Sequence, residues 1–231
     1  MTAILQWTAL VVCLACTIWR LPALAHGRNK SLFWAFAMVT LSVGLSIPAL
    51  YDPVDRALGG VNFANVVLRL SLFATFFLLA AKVAAAYSSP RARALIRGPV
   101  GLTVLLACSA GILATYFASD LRGSSPGLSG FFGQPSVAAY MWIGRLYLAY
   151  AAACLVVPTG RAALSRRRPL DRAAALSMCL GFTFVCLTLV VQVTPWHQAA
   201  VMGLLSFGSV LLVAAGLALV WVSYSRGVRK Q

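Results

Sequence analysis

Residues 51–69 read YDPVDRALGGVNFANVVLR, and the rest of the chain can be interpreted from this stretch outward. It contains two of the four acidic residues of the protein, a Gly-Gly pair, and an arginine well inside an apolar segment. On both sides the sequence consists mostly of long apolar segments separated by short basic or neutral loops. Because proline, glycine and aspartate favour turns, the first half of the stretch predicts a turn between two membrane helices, and the second half predicts the start of the next helix.

The composition is typical of a polytopic helical membrane protein. Hydrophobic residues make up 61% of 231 positions, charged residues only 10%, and the mean hydropathy is +0.88. A soluble domain is only about half apolar. A net charge of +15 would favour nucleic acid as a partner of a soluble chain. Here nearly all basic residues fall in loops on one side of the predicted spans, so we expect no nucleic-acid partner and the lipid bilayer as the main one.

The apolar segments predict an all-α fold with seven transmembrane helices. Each segment approaches the roughly 20 residues that a helix needs to cross a bilayer. They form a single seven-helix domain that covers residues 1–231. The predicted spans are residues 3–19, 31–50, 61–87, 99–119, 136–157, 173–194 and 199–224, with ends that are approximate.

The basic residues predict the orientation of this bundle. The loops after the first, third and fifth spans and the tail carry 3, 3, 5 and 3 Lys or Arg, whereas the remaining loops carry 1, 1 and 0. Because short cytoplasmic loops are enriched in Lys and Arg, the amino terminus is expected outside and the carboxyl terminus in the cytoplasm. The preference for Arg over Lys is typical of GC-rich bacterial genomes and indicates a multi-pass protein of a bacterial inner (plasma) membrane. The arginine run at 166–168 could also bind anionic lipid, although topology alone explains it.

Two arginines lie inside predicted helices, where a charge is costly unless it faces the bundle interior, a partner or a wet cavity. Arg69 and Arg145 lie about eight to ten residues from the predicted outer ends of their helices, or roughly 12 to 15 Å deep. No predicted span contains Asp or Glu at that depth. Asn62, Asn65 and Arg69 recur at spacings of three and four, so they are predicted to form one polar stripe on the third span.

These residues predict an outward-facing polar pocket among the third, fifth and sixth spans. Two arginines without intramembrane acids would suit an anionic group such as a carboxylate, a phosphate or a lipid head group. The alternative is structural, with the outer-loop acids Asp52 and Asp55 bending inward to pair with the arginines, or with helix-end carbonyls and Tyr hydroxyls satisfying the guanidinium groups. Both interpretations stay open at this point. The candidate ligand-binding residues are Arg69, Arg145, Asn62, Asn65, Gln192, Asp52 and Asp55.

The sequence offers no motif for catalysis, a cofactor or a metal. All six cysteines lie in predicted spans and are expected to pack as small hydrophobic side chains without disulfides. His26 and His197 lie on opposite sides of the predicted membrane, so no histidine pair is expected to bind haem or metal. Paired carboxylates, HExxH, GxSxG and phosphate-binding glycine loops are not found. We therefore expect no enzyme, no cofactor and no metal site.

Residues 19–65 resemble a group of uncharacterised actinobacterial seven-helix integral membrane proteins, which are often labelled as transporters. The matching elements are the turn Pro48-Ala49-Leu50-Tyr51, the element 55–59 with sequence DRALG, and an asparagine that opens the third helix. Many members of the group add a cytoplasmic region after the last helix, which the sequence here lacks. The resemblance implies a small multi-pass membrane protein and supplies no substrate.

Two functions fit these observations. The first is a small transporter or permease-like protein for an anionic or zwitterionic solute, bound by Arg69 and Arg145 in the outward-facing pocket. The second is a receptor-like or regulatory membrane protein that signals to a cytoplasmic partner through the basic inner loops. The inner loops are short and offer such a partner little surface to bind, which favours transport.

Overall fold

A computed structural model describes residues 2–25, 30–166, 168–193 and 199–228. Within these residues every regular element is a helix and no strand occurs, in agreement with the predicted all-α class. One 3-10 helix, Pro126–Phe131, lies between α6 and α7. The α-helices are α1 Thr2–Ala25, α2 Lys30–Leu45, α3 Pro48–Ala57, α4 Phe63–Ala86, α5 Pro90–Arg97, α6 Pro99–Phe117, α7 Pro135–Ala163, α8 Pro169–Val193 and α9 Ala199–Val228.

Some residues that entered the sequence predictions lie outside the described part of the chain. They are His26, Arg28, Arg167, Thr194, His197, Arg229 and Lys230.

Six helices are long and apolar enough to cross a membrane: α1, α4, α6, α7, α8 and α9. The number rises to seven if the bent pair α2 and α3 counts as a single broken span. Three of these helices begin with proline: α6 with Pro99, α7 with Pro135 and α8 with Pro169. Proline is favoured there because the first helical N–H has no intrahelical partner to lose.

The predicted span 31–50 is not one continuous helix. α2 ends at Leu45, and the chain turns by 94° into α3, which contains most of the predicted turn at 51–60. The break has a local cause, because Ile47 is extended (φ −91°, ψ 120°) in front of Pro48. The residue before a proline is driven out of the helical region by the proline ring.

The described helices form a ring around a central space. Contacts join α1 to α2, α2 to α4, α4 to α7, α7 to α8, α8 to α9, and α9 back to α1. α6 lies outside this ring against α7 and α4. α8 and α9 pack closely in the ring, since an added Cβ at Gly181 would lie 2.7 Å from Cγ2 of Val213. Such small residues let membrane helices approach closely.

The bundle has two different ends. We call one the α3 end, where α1, α4, α7 and α9 begin and where α3 and the loop 118–134 lie. The other is the basic end, where α5 and the loop between α7 and α8 lie. Among the described residues the basic end carries Lys30, Arg91, Arg93, Arg97, Arg161, Arg166, Arg168 and Arg172, and the α3 end carries Arg56 and Arg122.

Candidate functional site

Asn62 lies just before α4 and connects α3 to the loop 118–134 through hydrogen bonds. It is the N-cap residue of α4 with a left-handed backbone (φ 59°), so it is not part of the helical polar stripe that the sequence predicted. Its Oδ1 accepts hydrogen bonds from Oη of Tyr51 at 2.9 Å and from the backbone N–H of Ser125 at 2.8 Å. Its Nδ2 donates to the carbonyl oxygens of Leu121 at 3.0 Å and Gly123 at 2.8 Å. Asn62 therefore fastens the loop to the bundle and has no free polar atom for a ligand.

Asp55 is fully buried, and backbone and hydroxyl groups satisfy its carboxylate. Oδ2 accepts from the N–H of Asn62 at 3.1 Å and from Oγ of Ser124 at 2.7 Å, and Oδ1 accepts from the N–H of Ala64 at 3.1 Å. A negative charge at a helix N-terminus is favourable because the first N–H groups have no intrahelical partners. Asp55 thus stabilises the start of α4 instead of pairing with an arginine.

Asp52 lies on α3 and is also not paired with an arginine. Its Oδ1 is buried and has no hydrogen-bond partner among the described residues. Within the described part of the chain the one ion pair joins Arg122 and Asp120 at 3.6 Å, on the surface. The part of the structural alternative in which Asp52 and Asp55 pair with Arg69 and Arg145 is therefore wrong.

Arg69 is held in the interface between α4 and α7. Its Nε donates to Oδ1 of Asn65 at 3.3 Å, and its Nη2 contacts Sδ of Met141 at 2.6 Å. Its Cζ lies 4.6 Å from the ring centre of Tyr140, in cation–π geometry. Oη of Tyr140 in turn donates to Oδ1 of Asn65 at 3.0 Å. The guanidinium is thus partnered by an amide and a ring, and it does not line the cavity described next.

A cavity of about 800 Å³ occupies the centre of the ring. Side chains of α1, α2, α4, α7, α8 and α9 line it, together with Gly127 and Phe132 from the loop 118–134. Ligand pockets in proteins typically have volumes of about 300 to 1,000 Å³, so this cavity is large enough for a small molecule. The sequence predicted a pocket among the third, fifth and sixth spans, which correspond to α4, α7 and α8. α1, α2 and α9 also contribute.

Arg145 is the one charged side chain among the described residues that line the cavity. It lies ten residues after Pro135, which corresponds to roughly 15 Å below the start of α7. Its guanidinium makes no hydrogen bond or ion pair with any described residue, although it is half-buried. Arg69 of α4 packs against Gly144, the residue before Arg145 on α7, so the two positive charges lie near each other and repel one another.

Gln192 provides a second free polar group in the same cavity. Its Oε1 is buried and has no hydrogen-bond partner among the described residues. By contrast, the hydroxyl groups of Ser42 and Thr188 donate to the carbonyl oxygens of Met38 and Val185 at 2.9 and 2.7 Å. A buried acceptor without a donor costs about 1 to 3 kcal/mol, which a ligand donor would recover.

Towards the basic end the cavity narrows into tightly packed apolar side chains. A second, small chamber of about 50 Å³ continues from its floor and shares Leu72, Phe76 and Val185 with it. Below, a buried cluster that includes Leu79, Leu155, Met178, Phe182 and Val213 fills the interior. Among the described residues the polar space therefore ends about halfway through the bundle.

The structure thus separates the predicted site residues into three groups. Arg145 and Gln192 line one cavity, Arg69 and Asn65 lie beside it in the α4–α7 interface, and Asn62 with Asp55 anchors the loop 118–134. Asp52 lies apart from all three. The sequence reasoning missed the polar residues of α1, α2 and α9. Ser42 in α2 and Ser46 just after it had a recognisable signal, because they are four residues apart within one predicted span.

No cluster of three or more His, Cys, Asp or Glu side chains in the described ranges could hold a metal ion. No protein-family model, curated protein sequence or solved structure matches the chain.

Proposed function

We propose that the protein is a small transporter or permease-like protein for an anionic or zwitterionic solute. In this proposal α2 and α3 form one broken span, which gives seven spans in a bacterial inner membrane. The α3 end faces outside and the basic end faces the cytoplasm, as the distribution of Lys and Arg indicates. The observation that carries the proposal is the guanidinium of Arg145, which lies in a large cavity without a protein partner.

The cost of placing that charge supports a role in ligand binding. An arginine at the centre of a membrane helix costs about 2.5 to 3.5 kcal/mol on insertion scales. Arg69 recovers part of that cost from Asn65 and Tyr140, whereas Arg145 has no comparable partner among the described residues. An anionic ligand would form charge-assisted hydrogen bonds with the planar guanidinium, which can bind a carboxylate in a bidentate manner.

Gln192 extends the range of suitable solutes to zwitterions. Its Oε1 is an acceptor without a donor in the same cavity. An ammonium or N–H group on the solute could donate to this oxygen while the anionic group binds Arg145. Since the cavity lacks a described carboxylate, a solute with net positive charge fits poorly.

The shape of the cavity supports transport over permanent binding. Polar space extends from the α3 end to about the level of Arg145, and apolar packing closes the basic end. Such a one-sided cavity corresponds to one state of an alternating-access cycle, in which a central site opens to each side in turn. The break between α2 and α3 offers a place where the chain could hinge.

Uptake into proteoliposomes tests the proposal. Arg145→Gln is compared with Lys82→Gln, which removes a charge from the exposed, basic-end part of α4 and away from the cavity. The probes are labelled monocarboxylates, phosphate and amino acids. We expect uptake of at least one probe by the unmodified protein and by Lys82→Gln, and loss of that uptake in Arg145→Gln at equal folded yield. Binding of a probe without uptake would instead support the receptor-like function, and equal loss in both variants would contradict a role for Arg145.

A further inference from the structure

The wall around Arg145 is mostly hydrocarbon. Aromatic and aliphatic side chains from α4, α7, α8 and α9 face the cavity, among them Phe76, Trp142, Val185, Phe207 and Val210. Trp142 lies one turn above Arg145 on α7 and is one of the residues that line the cavity. A ligand with its anionic group at Arg145 would therefore place the rest of its body against apolar surface.

Several hydroxyl groups of the wall are already used for hydrogen bonds within the protein. The hydroxyls of Ser42, Thr188 and Ser209 already donate to the carbonyl oxygens of their own helices at 2.7 to 2.9 Å. A second anionic group on the ligand would meet no second described cation in the cavity and would be desolvated without compensation. The cavity therefore suits one anionic group and not two.

We propose that the solute is an amphiphilic monoanion, that is, one carboxylate or similar anionic group on an apolar body. This inference rests on the proposed function and names its substrate class. The anionic group binds Arg145, and the apolar body lies along Trp142, Phe207 and Val210. The cavity volume of about 800 Å³ far exceeds what acetate or phosphate would fill.

The small chamber at the floor extends the same surface. Its volume is about 50 Å³, and it is lined almost entirely by apolar side chains such as Phe36, Phe182 and Val213. A ligand segment that passes Arg145 towards the basic end thus meets mostly hydrocarbon, since the hydroxyl groups of Thr75 and Ser209 already donate to carbonyl oxygens of their own helices. This position would exclude a hydrated or charged tail and accept a methyl or methylene group.

Binding of a homologous series tests the inference. The purified protein in phosphatidylcholine nanodiscs is titrated with alkanoates from acetate up to chains of about ten carbons. Each Kd is calculated from the concentration of free alkanoate in the aqueous phase. Because burial of each methylene contributes free energy, we expect binding to tighten by up to about fourfold per methylene. Arg145→Gln should weaken binding by about tenfold or more. Lys82→Gln should leave it unchanged.

The tryptophan beside Arg145 reports where the ligand lies. An alkanoate brominated at its far end should quench the fluorescence of Trp142, and the difference in quenching between the unmodified protein and Trp142→Phe isolates that contribution from the lipid-facing tryptophans. Nanodiscs that also contain phosphatidylglycerol distinguish the source of the anion. Displacement of the brominated acid identifies an anionic membrane lipid as the amphiphile, and persistence of quenching identifies a free organic acid.

The outcomes separate this inference from the proposed function. If acetate or phosphate binds at Arg145 as tightly as the longer alkanoates, the inference of an amphiphilic ligand is overturned, while the proposal that Arg145 binds an anionic solute stands. If the matching alcohols bind as tightly as the acids, or if no anion depends on Arg145, both proposals fail.

Discussion

The guanidinium of Arg69 lies directly over Gly144 of α7, so that a Cβ at position 144 would collide with Nη1 and lie 2.8 Å from Cζ. This contact lets an arginine cross from α4 to α7 and reach the ring of Tyr140. Position 144 of α7 therefore faces α4, while Arg145 on the next position faces the cavity. The glycine thus decides which of the two intramembrane arginines is free.

Gly144→Ala should destabilise the protein by forcing Arg69 out of its place. Overpacking of this kind costs about 1 to 3 kcal/mol, and here it also disrupts the hydrogen bond to Asn65. Thermal unfolding in detergent measures the effect. Gly160→Ala on the same helix is the control, because its Cβ would meet only Sγ of Cys179 at 3.4 Å. In an Arg69→Ala background the cost of Gly144→Ala should largely vanish, and an unchanged cost would contradict the contact.

Asp55→Asn should lower the folded yield and the unfolding temperature. The amide keeps one acceptor oxygen but loses the charge and one of the two oxygens that satisfy the start of α4, a loss of about 1 to 3 kcal/mol. Asp52→Asn on the same helix removes an equal charge from a carboxylate whose Oδ1 has no partner, so it should cost little. Size-exclusion chromatography and thermal unfolding compare the two variants. Equal losses would show that charge, and not capping, matters at α3.

Asn62 combines two contributions that can be separated. Asn62→Gly keeps the left-handed backbone and removes the side-chain hydrogen bonds to the loop, whereas Asn62→Ala also adds backbone strain of about 1 kcal/mol. Hydrogen exchange at residues 121–125 should rise in both variants, because the hydrogen bonds to the carbonyl oxygens of Leu121 and Gly123 and from the N–H of Ser125 are lost. The unfolding temperature of Asn62→Ala should be lower than that of Asn62→Gly, because only alanine adds backbone strain. Unchanged exchange in both would mean that the loop is held elsewhere.

Gln192→Leu should not destabilise the protein, although it replaces a buried polar residue. Its Oε1 has no partner to lose, and removing an unsatisfied acceptor is neutral or favourable by about 1 kcal/mol. Thr188→Val, which loses the bond to the carbonyl oxygen of Val185, is the matched change on the same helix and should not gain stability. Both are compared by thermal unfolding. A clear loss of stability in Gln192→Leu would show that the oxygen is satisfied.

The sequence predicted those features that depend on local pattern and on the energetic cost of burying charge. The all-α class followed from the apolar segments, and the position of Arg145 in a cavity followed from a charge at depth without an acid. Asn65 and Arg69 were also correctly placed on one face of the helix, because they lie four residues apart, and a hydrogen bond joins them. Asn62 was misplaced for the same reason, since helical spacing has no meaning before the helix begins.

Other features depend on partners that are remote in sequence. The partners of Asp55 are mainly backbone N–H groups, which no residue pattern reveals, so an ion pair with arginine was the natural alternative. The break after Leu45 has a local cause at Ile47 and Pro48, whereas the direction of α3, at 94° to α2, also depends on its packing against α2 and α4. The separation of Arg69 from the cavity required Gly144, which lies 75 residues away and came into contact only through folding.

The central claim is that Arg145 is an unpaired cation in a wet cavity that opens at the α3 end. It is tested most directly with Ser206→Cys, at an exposed position of α9 that lines the cavity. In right-side-out vesicles, anionic and cationic methanethiosulfonate reagents of similar size are applied, with the unmodified protein as the measure of reaction at the native cysteines. We predict that the anionic reagent reacts faster and that Arg145→Gln abolishes this preference. Faster reaction of the cationic reagent, or a preference that survives Arg145→Gln, would contradict the account.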